Sequence, residues 1–160
     1  MIFFTRDSSG FHLFYVSWAQ EMKVRDIIDT LIPMKKEKFH IEYVFDKVSR
    51  RSLWNHLTTP PGLSAWFADD VFVNNSVYTF KWDKEEEAAE AISLKPENSV
   101  RYRWVEEEDE HSYFEFKIHT VELTGATTLE ITDFAIPEEK EDAIDLWDSQ
   151  VDMLKRTLGI

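Results

Sequence analysis

Residues 53 to 67 read Leu-Trp-Asn-His-Leu-Thr-Thr-Pro-Pro-Gly-Leu-Ser-Ala-Trp-Phe, and the middle of that run forbids a continuous helix. Pro60 and Pro61 have no amide hydrogen to donate, and Gly62 permits backbone angles that other residues avoid. On either side the apolar residues Leu53, Trp54 and Leu57, then Leu63, Trp66 and Phe67, keep helical spacing. The segment predicts two short helices meeting at a corner. Their apolar sides need a surface to rest on, and the remainder of the chain has to supply it.

That surface is legible as a sheet. Lys38 to Asp46 alternates, with Phe39, Ile41, Tyr43 and Phe45 on one side and His40 and Glu42 on the other, the period of a half-buried strand. Asp70 to Asn74 and Ser76 to Asp83 are strand-like runs meeting at Asn74-Asn75, residues that tolerate the positive backbone angles of a tight hairpin. Glu87 to Leu94 is ambiguous: its alanines and glutamates favour helix, while Ile92-Ser93-Leu94 before Pro96-Glu97-Asn98 reads as a strand ending in a turn. Its neighbours decide for strand. Three clearer strands follow at Ser99 to Glu106, Ser112 to Val121 and Thr127 to Phe134. Val100, Tyr102 and Trp104, then Phe114, Phe116 and Ile118, then Leu129 and Ile131 give this antiparallel sheet an aromatic-rich face. Arg101, Arg103, Glu115, Lys117 and Glu130 make the other face polar. Ala143, Leu146, Trp147, Gln150, Val151, Leu154 and Leu158 trace one stripe of a last helix, with Lys155 and Arg156 near its negative end and Gly159 after it. That helix is expected to cover the inner face of the sheet.

At 160 residues the chain suits one domain with one core. Residues 1–33 stand apart as an N-terminal arm or extension ahead of a domain at 34–160. Phe11 to Ala19 is apolar but short, carries His12 and Ser17, and lacks a small-residue cleavage pattern, so it reads as neither a membrane span nor a signal peptide. Val24, Ile27, Ile28, Leu31 and Ile32 recur at helical spacing up to Pro33, an amphipathic arm through which two copies could pair. The alternative is that Met22 or Met34 begins the natural chain, and the two readings stay open.

Acidic residues number 31 against 18 basic ones, a formal charge of -13 that repels phosphate backbones, so no nucleic-acid partner is expected. The runs at 85–87, 106–110 and 138–142 read as solvated loops, with a basic protein partner as the alternative. With no cysteine, there is no disulfide, thiolate metal site or thiol nucleophile, which suits a cytoplasmic setting.

Motifs that carry chemistry are missing. His12, His40, His56, His111 and His119 show no metal-ligand spacing, so no metal and no cofactor is expected; His119 falls on the polar face, and His56 beside Trp54 reads as structural or solvated. Four glycines make no phosphate loop, and no G-x-S-x-G elbow is present. Asp133 follows two inward positions on its strand, so it is either an inward carboxylate with a raised pKa or, as is more common, the strand's exposed end. The positive signal is aromatic. Tyr78, Phe80, Trp82, Tyr102, Trp104, Phe114, Phe116 and Trp147 are all expected to face the last helix, where they either fill a core or line a pocket for an apolar ligand.

The corner pattern, residues 92 to 104 (ISLKPENSVRYRW), 114 to 118 (FEFKI), 127 to 134 (TTLEITDF) and 146 to 158 (LWDSQVDMLKRTL) resemble the START-like (SRPBCC) superfamily, in the branch related to the activator of the heat-shock chaperone ATPase. The similarity covers about residues 38–160. It departs from common members at Asn75-Ser76, where a glycine usually opens the strand. The resemblance implies an α+β helix-grip fold: a curved antiparallel sheet around a long C-terminal helix, with two short helices after the first strand and a cavity between sheet and helix. It implies a domain that binds a small hydrophobic or amphipathic ligand; a co-chaperone-like protein-interaction domain and, further off, a cyclase or hydrolase are the alternatives. None of the matched segments is an active-site signature, so no catalytic residue follows from them.

Overall fold

The computed structural model describes residues 2–7, 10–15 and 35–160. In chain order the elements are β1 (Ile2–Asp7), β2 (Gly10–Tyr15), β3 (Glu37–Phe45), α1 (Arg50–Thr58), α2 (Pro60–Ser64), β4 (Asp70–Asn74), β5 (Val77–Trp82), β6 (Glu85–Lys95), β7 (Ser99–Trp104), β8 (Phe114–Thr120), β9 (Thr127–Ala135), a 3-10 turn at Pro137–Glu139, and α3 (Lys140–Leu158). Strands β3 to β9 form one curved, antiparallel, seven-stranded sheet in the order β3-β9-β8-β7-β6-β5-β4. This is the α+β arrangement expected, with the long helix packed on the inner face.

The two-residue alternation sets the faces. Val100, Tyr102, Phe116, Leu129 and Ile131 are completely buried under α3 and the corner. On the outer face Arg101 pairs with Glu115 at 2.9 Å and lies 3.9 Å over the Tyr113 ring. The β4–β5 turn at Asn75 has φ 56°, so an asparagine adopts the left-handed conformation there. The ambiguous run is strand β6, and its mixed character has a structural counterpart. Ala91 faces Tyr102 while Ser93 faces Arg101, so Ile92 is an extra residue, a bulge that bends the strand and helps the sheet to curl.

The corner is built as its sequence requires. Ser49 caps α1 through the amide of Ser52, and Thr59 caps α2 through the amide of Gly62, with Pro60 at the first helical position where no donor is needed. A Cβ on Gly62 would come within 2.2 Å of the Asn55 carbonyl oxygen, so only glycine lets α2 sit this close to α1. Helix α3 has no side-chain cap at its start and ends on Gly159 at φ 79°, with the Gly159 and Ile160 amides closing back on Arg156 and Lys155. Tyr43 donates its hydroxyl to Asp148 at 2.7 Å and Thr157 donates to the Ala65 carbonyl, which fasten α3 to the first strand and to the corner.

In the N-terminal region β1 and β2 pair antiparallel, Ile2 opposite Tyr15 and Asp7 opposite Gly10. The sequence reading gave no strands there; the aromatic content of both segments favours them. The apolar stripe from Val24 to Ile32 lies outside the described residues. Among the described residues no helix is long and apolar enough to cross a membrane.

Candidate functional site

Four carbonyls at the end of a helix have no partner within it. At the end of α1 these belong to Asn55, His56, Leu57 and Thr58, and the prolines that follow cannot supply all the missing donors. Asn55 O accepts from the amide and hydroxyl of Thr59. His56 O accepts from the Trp66 indole at 2.8 Å, Leu57 O from the Tyr102 hydroxyl at 2.8 Å, and Thr58 O from the Tyr78 hydroxyl at 2.9 Å. Trp82 likewise donates its indole N–H to Phe67 O at 2.8 Å. Tyr78, Tyr102 and Trp82 thus spend their polar atoms on fixing the corner to the sheet and Trp66 on bracing the corner itself, and burial pushes the hydroxyls of Tyr102 and Tyr78 above their ordinary pKa.

The eight aromatic residues proposed from sequence as a ligand site therefore fall into two groups. Tyr78, Phe80, Tyr102 and Phe116 sit beneath the corner, in contact with one another and with Trp66 or Phe67. Trp82, Trp104, Phe114 and Trp147 line a cavity of about 110 Å³ between the sheet and α3. Phe67, just past the corner, supplies a fifth ring and stacks on Trp147 at 6.1 Å. On α3, Ala143, Leu146, Trp147 and Gln150 present to the cavity, one face of the helix at spacings of three and four, and the small side chain of Ala143 leaves the space open.

Asp133 also lines this cavity. It shares its face of β9 with Leu129 and Ile131, so of the two sequence readings the inward one holds, and the expectation of an exposed strand end is corrected. Its carboxylate accepts the Trp147 indole N–H and the Phe134 amide, each at 2.8 Å. Desolvation dominates and raises its pKa to about 6; the two hydrogen bonds and the charge of Lys36 pull the other way, while Glu107 adds to the rise. Lys36 itself is held by Glu107 at 2.5 Å. Gln150 is 6% exposed and makes no hydrogen bond among the described residues. Asp133 and Gln150 are the polar members of an otherwise apolar lining. No sequence signal marked Gln150 as more than a member of the α3 stripe, or Phe67 as more than the end of the corner; topology brings them to the cavity.

The histidines described lie elsewhere. His56 donates to the Ser52 carbonyl within α1 at 2.8 Å, and His119 lies 3.5 Å from Glu130 on the outer face, which His40 approaches from β3. His12 lies on β2 and His111 in the loop before β8. Among the described residues no group of three or more His, Asp or Glu side chains is placed to hold a metal. Among the described residues lining the cavity Asp133 is the one carboxylate, whereas general acid–base chemistry ordinarily uses a donor and an acceptor in reach of one another.

A family model described as a START-like superfamily domain matches residues 34–160. Among solved structures, BfR322 from Bacteroides fragilis is 43% identical over 79% of this chain and 94% of its own, with a TM-score of 0.59. The Aha1 dimer from Colwellia psychrerythraea is 19% identical over 76% of this chain and 92% of that one, TM-score 0.58. The AHSA1-like protein from Aeromonas hydrophila is 13% identical over 77% and 92%, TM-score 0.60; these last two are likenesses of fold. Comparison with curated proteins gives no match.

Proposed function

This chain belongs to the START-like superfamily, and from that premise we propose that it is a binding domain for a small hydrophobic or amphipathic molecule held between the sheet and α3. The observation that carries the reading is the cavity itself: five aromatic rings, two aliphatic side chains and two polar groups around about 110 Å³. An apolar hollow beside a close-packed core leaves its lining short of contacts, so the fold gains when a guest supplies them. Size limits the guest. Ordinary ligand sites run to about 300–1,000 Å³, and an engineered cavity of about 150 Å³ takes benzene. The pocket in this conformation suits a ring-sized or branched group rather than a long acyl chain.

Titration of 4-fluorotoluene followed by fluorine NMR tests the reading on the full chain. Saturable binding is expected, lost in Ala143→Leu, where the added side chain occupies the cavity and leaves the fold intact. Binding unaffected by Ala143→Leu would place the probe elsewhere and remove the support for this site.

A further inference from the structure

We propose that the guest is a small alkylammonium, a cation whose charge is spread over methyl or methylene groups, with a hydrogen-bonding substituent beside it. The proposal rests on the ligand-binding reading above and specifies the ligand's chemistry. Its first support is the walls. Trp82, Trp104, Trp147, Phe67 and Phe114 surround the space, and the faces of aromatic rings attract a desolvated cation beyond what a neutral group of the same shape gains.

The second support is the carboxylate. Asp133 accepts one hydrogen bond on each oxygen, from Trp147 and from the Phe134 amide, and each oxygen keeps a free lone pair. No Lys, Arg or His is among the described residues lining the cavity, and nearby Lys36 is engaged by Glu107. A carboxylate in apolar surroundings is costly without a positive partner, and the cavity is where one would fit.

The third is Gln150, one turn beyond Trp147, a 6% exposed residue on the cavity wall whose side-chain amide makes no hydrogen bond to the described residues. That amide carries both donors and an acceptor, so it is available to a hydroxyl or carbonyl on the guest. The surroundings match a cation as well. Glu87 lies opposite Phe80 on the inner face, where burial first, and then the charges of Glu106 and Glu85, raise its pKa to about 7. A chain of charge -13 attracts small cations and repels fatty acids and other anions.

Choline and its uncharged isostere 3,3-dimethylbutan-1-ol separate the outcomes, titrated into the full chain with NMR detection. Choline should bind at least about tenfold more tightly at neutral pH, and Asp133→Asn should bring the two within about twofold of each other. Gln150→Leu should weaken both. In the unmodified chain, a check that needs no variant to fold, choline affinity should fall as pH drops through about 6 while that of the isostere holds. Equal affinities for choline and the isostere in the unmodified chain would overturn the cation proposal and leave the apolar-ligand reading standing. Failure of both to bind, together with failure of 4-fluorotoluene, would overturn both.

Discussion

Asp133 and Glu87 make the stability of the domain depend on pH in an unusual direction. Each carboxyl titrates higher in the fold than in a free chain, near 6 and 7 against ordinary values of 3.8 and 4.5. The folded state therefore holds its protons more tightly than the unfolded chain. The resulting stabilisation is complete below the ordinary value and is lost as pH rises through the folded one. Thermal melts should move upward as pH is lowered from about 8 to about 5, and Asp133→Asn or Glu87→Gln should each remove part of that slope. A slope unchanged in both variants would assign it to other groups. Trp147→Phe removes one of the carboxylate's donors and should cost about 1–3 kcal/mol in urea denaturation at neutral pH, with a smaller loss at acid pH where Asp133 is protonated. At this scale the sequence is informative about parity and silent about partners. The alternation Leu129, Ile131, Asp133 aims the carboxylate inward, but the indole that meets it lies on another element, and nothing local joins the two.

The corner joins elements through side chains that end on main-chain atoms. Tyr102→Phe keeps the ring and leaves the Leu57 carbonyl buried without its donor, at an expected cost of about 1–3 kcal/mol. Gly62→Ala forces a methyl group against the Asn55 carbonyl, and overpacking of this kind costs about 1–3 kcal/mol or more. Both are read from denaturant midpoints, and a Gly62→Ala protein as stable as its parent would contradict the close approach of α1 and α2. Periodicity, the two prolines and the aromatic alternation placed each helix and strand of the domain to within a few residues. Periodicity did not divide the aromatic face into four residues that line a cavity and four that carry the corner. That division follows from the curl of the sheet and from where α1 ends over it, which are properties of the assembled layers.

For the molecule as a whole, the START-like domain at residues 34–160 contains the seven-stranded sheet, the corner, α3 and the cavity. Removing residues 1–33 should leave that domain folded while changing its melting temperature or its sedimentation, because an apolar stripe such as Val24 to Ile32 needs a covering surface. Identical melting and sedimentation for both forms would make the arm a passive tail. The side-chain capping of α1 has a further consequence, which concerns time. Carbonyls held by residues from β5, β7 and the corner itself are released only when the sheet comes apart, whereas α3 begins with no side-chain cap beside Ala143. In hydrogen exchange the amides of α1 should follow global unfolding and those of the first turns of α3 should exchange by local opening. Ala143 and Leu146 lie in those turns and line the cavity, so each local opening would loosen one of its walls.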